Sequence, residues 1–199
     1  MHAEGGRRNV RPPVASAFPD PPPPRRFPAR AALRSATADA HARVDAAFGS
    51  LDLASADGYR RFLAAQGAAF LPAEAALERH GVATVIPDWA ERRRGDQLRA
   101  DLGALGLTVP ALPAPRFATP AALCGAAYVL EGSRLGGAML VRGVPAGFPT
   151  SFLAAPATPG AWRALLDLLD TVVVDDTTRD EAIAAALAVF TLFESAAHG

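Results

Sequence analysis

The chain has 199 residues and a mass of 20.6 kDa, with 50% hydrophobic and 20% charged residues. That gives room for one folded domain with a real core and excludes a globally disordered chain. Twenty basic residues balance twenty acidic ones, which argues against a nucleic-acid binder, and every basic residue is Arg, a bias assigned to genome composition. Cys124 is the only cysteine, so a disulfide framework and a multi-cysteine zinc site are excluded. No uninterrupted apolar run approaches the length of a bilayer span, and a cytoplasmic protein without a membrane anchor is expected.

Residues 1–29 form the first unit. Residues 1–30 carry six Arg against Glu4 and Asp20 and hold eight of the 18 prolines, four of them consecutive from Pro21 to Pro24. Proline fixes φ and lacks an N–H, so a disordered or polyproline tail is predicted, serving as an inert extension, a docking ligand or a targeting signal. The domain proper is expected over 30–199. Segment 30–48, with Leu33, Thr37, Val44 and Phe48 near one stripe, predicts one helix that Gly49 and Ser50 stop. Ser55 reads as the N-cap of a second helix over 56–80, with Gly58 where a capping box wants Glu, and Pro72 is expected to kink or divide it. A charged helix is predicted over 87–105, then a Pro-rich loop over 106–118. Thr119-Pro120 opens a helix to about 142 and Thr158-Pro159 one to about 174, each a cap followed by proline at the first helical position. The last helix is predicted over 178–197, acidic at its start. The β-branched run Thr171–Val174 continues a helical pattern. The fold class is therefore all-α, a single-domain bundle of about six to eight helices.

Two features could carry chemistry. His41 sits mid-helix, two turns from both Arg34 and Phe48, with Arg34 roughly 10 Å away along an ideal axis. It reads either as an ordinary half-buried residue or as the neutral imidazole that a haem iron takes on its proximal side. Asp45, four residues on, is placed to meet that imidazole through a water. The second feature is the glycine set Gly132, Gly136 and Gly137 in a strongly apolar helix, each costing about 1 kcal/mol relative to Ala. Gly132 and Gly136 face the same way, which suits either a close-packed helix or a flat ligand pressed on the backbone. His2 and His198 read as solvated, His80 as a helix C-terminal cation, and Cys124, Trp89, Trp162, Phe190 and Phe193 as core. Glu131 orders water near the site or lies outward, and Asp175-Asp176 reads as a helix-end turn.

Taken together, segment 33–48 (LRSATADAHARVDAAF) and segment 128–140 (YVLEGSRLGGAML) resemble the proximal and distal helices of haem oxygenases, most closely the bacterial biliverdin-producing enzymes often found with bacteriophytochromes. The likeness extends through 58–77, 88–102 and 148–170, nearly everything after residue 30. It rests on Leu33, Ala36, Thr37 and His41 combined with the Leu-Glu-Gly-Ser-x-Leu-Gly-Gly run over 130–137. The resemblance implies that His41 is the axial ligand of haem iron and that Gly132 and Gly136, with Gly137 beside them, line the distal side. It puts Ser133 where animal enzymes hold an aspartate that anchors a distal water. Arg34 and Arg142 match basic positions that meet the haem propionates, although on an ideal helix Arg142 points away from Gly136 and needs a bend to reach the haem edge. Haem b would be both cofactor and substrate, opened at a meso carbon with O2 and an external electron donor to give biliverdin, CO and ferrous iron. Neutral His41 suits this, since a thiolate would favour O–O cleavage. A ferredoxin with its reductase is implied as donor and a bacteriophytochrome as biliverdin acceptor. The Arg92-Arg93-Arg94 run reads as a solvated helix face or as the seat of an acidic partner. A non-catalytic haem or tetrapyrrole sensor or carrier with the same fold, and a helical module without cofactor, are the alternatives.

Overall fold

Proline is accepted where a helix begins, because the first N–H groups of a helix have no intrahelical acceptor. The computed structural model describes residues 28–199 and starts its first helix at such a residue, α1 (Pro28–Ala36). The tail expected over 1–29 therefore lies outside the described residues except for Pro28 and Ala29, which belong to α1. The single helix expected over 30–48 is two, α1 and α2 (Ala38–Gly49), broken at Thr37 with φ −101 and ψ 2. The buried Thr37 hydroxyl donates to the Leu33 carbonyl at 2.8 Å, a back-bond that bends helices.

Helix α3 (Ala56–Arg79) starts as the sequence indicates, with the Ser55 hydroxyl accepting the Gly58 N–H at 3.0 Å. Gly58 stands in place of Glu because a Cβ there would collide with the Asp52 carbonyl. Pro72 does not divide the helix. It deprives the Ala68 carbonyl of its usual donor, and the Leu112 N–H supplies one at 3.1 Å from the Pro-rich loop.

The helix expected over 87–105 is likewise two, α4 (Trp89–Arg92) and α5 (Gly95–Ala104). The Glu74 carboxylate, reaching over from α3, accepts the N–H groups of Arg94 at 2.8 Å and Gly95 at 2.9 Å and so caps α5. A Cβ at Gly95 would land on that carboxylate. Burial raises the Glu74 pKa above the usual carboxylate value, although both N–H bonds oppose the shift.

Thr119 caps α6 (Pro120–Leu140), accepting the Ala122 N–H at 3.2 Å, and a 3-10 turn over Val141–Gly143 follows. Helix α7 (Ala161–Val172) starts later than Thr158-Pro159 suggests. Its N-cap is Gly160 at φ 80, a left-handed conformation that favours glycine, while the Thr158 carbonyl accepts the Ala161 N–H at 3.0 Å. Asp175 and Thr178 form a reciprocal capping box at the start of α8 (Asp176–His198), so Asp175-Asp176 opens a helix instead of closing one.

Eight α-helices and no strand occur among the described residues. Helix α8 is the organiser, packing against α1, α2, α3 and α6. It is long and apolar enough by length and composition to cross a bilayer, yet Ala182, Ala186, Val189 and Phe193 are buried in the bundle core. Cys124, fully buried in α6, has its thiol pushed up to about 12 by burial and is a core residue.

Candidate functional site

A helix offers a flat surface to a ligand only where side chains are missing, so glycines and their surroundings locate the site. Four glycines of α6 do three jobs. Gly125 lets α6 meet α8 closely: a Cβ there would strike the Ala182 carbonyl, with the Ala182 Cα 2.8 Å away. Sequence reasoning did not single it out. Farther along the same face, a Cβ at Gly132 would meet one atom, of Trp162, at 3.9 Å, and one at Gly136 would meet nothing within 4 Å. Past the α8 contact, the backbone of α6 is thus open at Gly136 and half-covered, beside Trp162, at Gly132. Leu135, Met139 and Leu140 flank it with exposed apolar side chains, Met139 at 74% exposure. Gly137 differs from the expectation. It is buried, and a Cβ would meet Leu153 at 3.4 Å, so its missing side chain admits the 149–157 segment behind α6.

His41 is on α2 with its side chain 62% exposed, and its Nδ1 lies 2.9 Å from Asp45 Oδ2. The Asp45 contact is direct, without the intervening water expected from sequence. A proton on Nδ1, held by the carboxylate, would leave the lone pair on Nε2. The ring also meets Phe190 of α8 edge to face, centroids 5.7 Å apart. Helix α8 therefore carries both contacts, Phe190 against His41 and Ala182 against Gly125, eight residues or about 12 Å apart along its axis. Arg34 and Arg142 are both exposed. Arg34 is in the last turn of α1, on the other side of the Thr37 break from His41, and Arg142 lies in the 3-10 turn after α6, so Arg34 shares no continuous helix with His41 and Arg142 none with Gly136.

Behind α6 lies a layer of buried charge that the sequence disguises. The Arg92-Arg93-Arg94 run is neither a solvated face nor a docking seat, because Arg92 and Arg94 are buried at 3% and 2% exposure. Arg92 donates to Asp88 at 2.8 Å and to the Ala161 carbonyl at 3.0 Å. Glu131, far from lying outward, is buried between Arg134 at 3.2 Å and Arg92 at 3.5 Å. Arg134 also donates to the carbonyls of Pro156 at 2.9 Å and Arg92 at 2.6 Å. Asp101, buried in α5, accepts the N–H groups of Ser151 at 3.1 Å and Phe152 at 2.8 Å. Tyr59 donates to the Pro149 carbonyl at 2.6 Å, and burial, with Asp101 nearby, holds its pKa far above the usual tyrosine value.

Ser133 belongs to this layer. Its hydroxyl donates to the Leu130 carbonyl at 2.7 Å and accepts from Arg94 Nη2 at 2.8 Å. Sequence reasoning missed Arg94. Its one local signal is the following Gly95, which ends the regular helix pattern.

No protein-family model matches the chain. It is 35% identical over 120 residues to a heme oxygenase of Xanthomonas campestris pv. campestris, spanning 57% of this chain and 73% of that one. It is 31% identical over 165 residues to heme oxygenase PigA of Pseudomonas aeruginosa, spanning 77% and 82%. Its fold is similar to the NO- and CO-bound heme oxygenase of Neisseria meningitidis, with TM-score 0.71 and 24% identity over 86% of this chain and 90% of that one. The heme oxygenase of Leptospira interrogans matches with TM-score 0.66 and 21% identity over 85% and 98%.

Proposed function

Because this chain belongs to the haem oxygenase family and degrades haem, we propose that His41 of α2 binds the haem iron and the bare backbone of α6 at Gly132 and Gly136 covers the opposite face. The observation that carries this reading is the uncovered stretch of α6: no atom stands within 4 Å of where a Gly136 side chain would begin. Bound haem is the substrate and supplies the iron at which O2 is activated. The protein's own residues do the rest. Asp45 fixes the His41 ring and tautomer from 2.9 Å. Leu135, Met139 and Leu140 give the macrocycle an apolar border and exclude water from its face. Arg34 and Arg142, exposed on flexible stems, are the charges available to the propionates.

Electrons come from a separate reductant, since the sequence has no Rossmann glycine fingerprint. A ferredoxin is the donor we favour, with biliverdin, CO and ferrous iron as products and a bacteriophytochrome as pigment acceptor. The catalytic domain starts at the first residue of α1, Pro28, with Ala29 already in the core, and the reaction is cytoplasmic.

Haemin added to the protein is expected to give a Soret band that His41→Ala weakens or shifts. With an electron donor under air, that band is expected to decay as biliverdin absorbance grows. A stable complex forming no pigment would sink the catalytic reading and leave a haem carrier; unchanged binding in His41→Ala would sink the ligand assignment.

A further inference from the structure

Arg94 is among the largest fully buried side chains of the described residues. Its guanidinium carbon lies 4.8 Å from the ring centroids of both Phe70 and Phe152, which themselves meet edge to face at 5.0 Å. Through Nη2 it donates to the Leu130 carbonyl at 2.6 Å and to the Ser133 hydroxyl at 2.8 Å. Both acceptors are on α6, in the turn that contains Gly132 and leads into Gly136.

This cation is costly to the fold. Its Nε is buried without an acceptor. Burial, with Arg134 adding repulsion, pulls its pKa down to about 10 against the opposing pull of Glu131 and Glu74, and its guanidinium bonds a carbonyl and a hydroxyl, with no carboxylate in direct contact. An apolar side chain of similar volume over Phe70 and Phe152 would cost the fold less. A buried charge with an unpaired Nε is where a constraint other than stability is to be sought.

We propose that Arg94 is a positioning residue for haem ring opening: by gripping Leu130 O and Ser133 Oγ from behind, it fixes the turn of α6 from which Gly132 and Gly136 face the substrate. The inference rests on the reading of that face given above. Ser133 then has a defined task, different from that of a distal acid. Its hydroxyl is the link between α6 and a cation on the α4–α5 connection. The carbonyl of Leu130 accepts two side-chain bonds, one from Ser133 of the same helix and one from Arg94 outside it, which stiffens α6 at the point where three glycines nearby would otherwise loosen it.

The test compares wild type, Arg94→Met, Arg94→Lys and Ser133→Ala by amide hydrogen exchange of the haem-free proteins and by separation of the biliverdin isomers after one turnover. In Arg94→Met, amides of 131–137 are expected to exchange about tenfold faster, the scale of one lost charge-assisted hydrogen bond, while those of α8 keep their protection. The isomer ratio should broaden, with haem still bound through His41. Ser133→Ala should move both readouts the same way by less, and Lys should restore part of the protection. A general loss of structure would accelerate α8 as well, and in that event Ser133→Ala decides between the two readings. Wild-type exchange at 131–137 and a wild-type isomer ratio in both Arg94→Met and Ser133→Ala would overturn the inference. If wild type itself formed no pigment, the earlier reading would be at fault, and the exchange data would still judge the grip of Arg94 on α6.

Discussion

Gly136→Ala is expected to make the haem-free protein more stable and the haem complex weaker. The backbone at Gly136 is not in the left-handed region, and nothing stands within 4 Å of the added methyl. Alanine is therefore accepted without strain and gains about 1 kcal/mol of helix propensity over glycine. For a domain of this size that raises the midpoint of thermal unfolding by roughly 2–4 °C. The same methyl stands where the macrocycle would lie against the helix. A gap of about 0.5–1 Å forfeits a quarter to a half of the dispersion attraction across it, so haem affinity should fall about tenfold or more. Circular dichroism melts of the haem-free protein and Soret titrations read the two effects separately. A destabilised haem-free variant would show that the face is covered. A stabilised variant with unchanged affinity and turnover would show that it is bare for some reason other than haem.

Gly125→Ala, on the same face, should behave in the opposite way, because its methyl meets the Ala182 backbone. Helix α6 would have to move off α8, a net loss of about 2 kcal/mol or more, read as a lower urea midpoint; an unchanged midpoint would count against the close approach. Hydrogen bonds from Thr178, backbone first, hold the Asp175 carboxyl below the usual aspartate value. A depressed folded pKa gives stability that is present above the ordinary carboxylate range, about pH 4, and lost as pH falls through the folded value. Asp175→Ala should thus melt below wild type at neutral pH, with the gap closing on acidification; a gap independent of pH would refute the assignment.

What could be read from the sequence was whatever depends on residues close together in the chain. Ser55 and Thr119-Pro120 announce their helices because the capped N–H groups lie two or three residues on. The all-α class follows from periodicity in the same way. The α4–α5 break was illegible because its cause, the Glu74 carboxylate, comes from another helix. Thr37 reads as part of a helical stripe, and only its buried hydroxyl bond to Leu33 shows why the helix bends there. For the proposed site, spacing singled out His41, Gly132 and Gly136 but left an ordinary histidine and a close-packed helix open, and the family resemblance turned them towards haem. The buried layer was not: three consecutive arginines suggest solvent, and nothing local says that Phe70 and Phe152 wait beneath one of them. Gly137, identical in type to its neighbour Gly136, was read as lining the same surface, and only the position of Leu153 separates them.

The dominance of α8 also bears on how the protein is made. Helices α1, α2, α3 and α6 precede their common neighbour in the chain, and 58 residues separate the last residue of α6 from the last of α8. At synthesis rates of about 5–20 residues per second, the ribosome needs roughly 3–12 s to cover that distance. During that interval four sticky helices exist without the surface they were shaped for. A chain cut before Asp176 would leave the faces of four helices that α8 covers open to water, so the bundle closes only from its last helix.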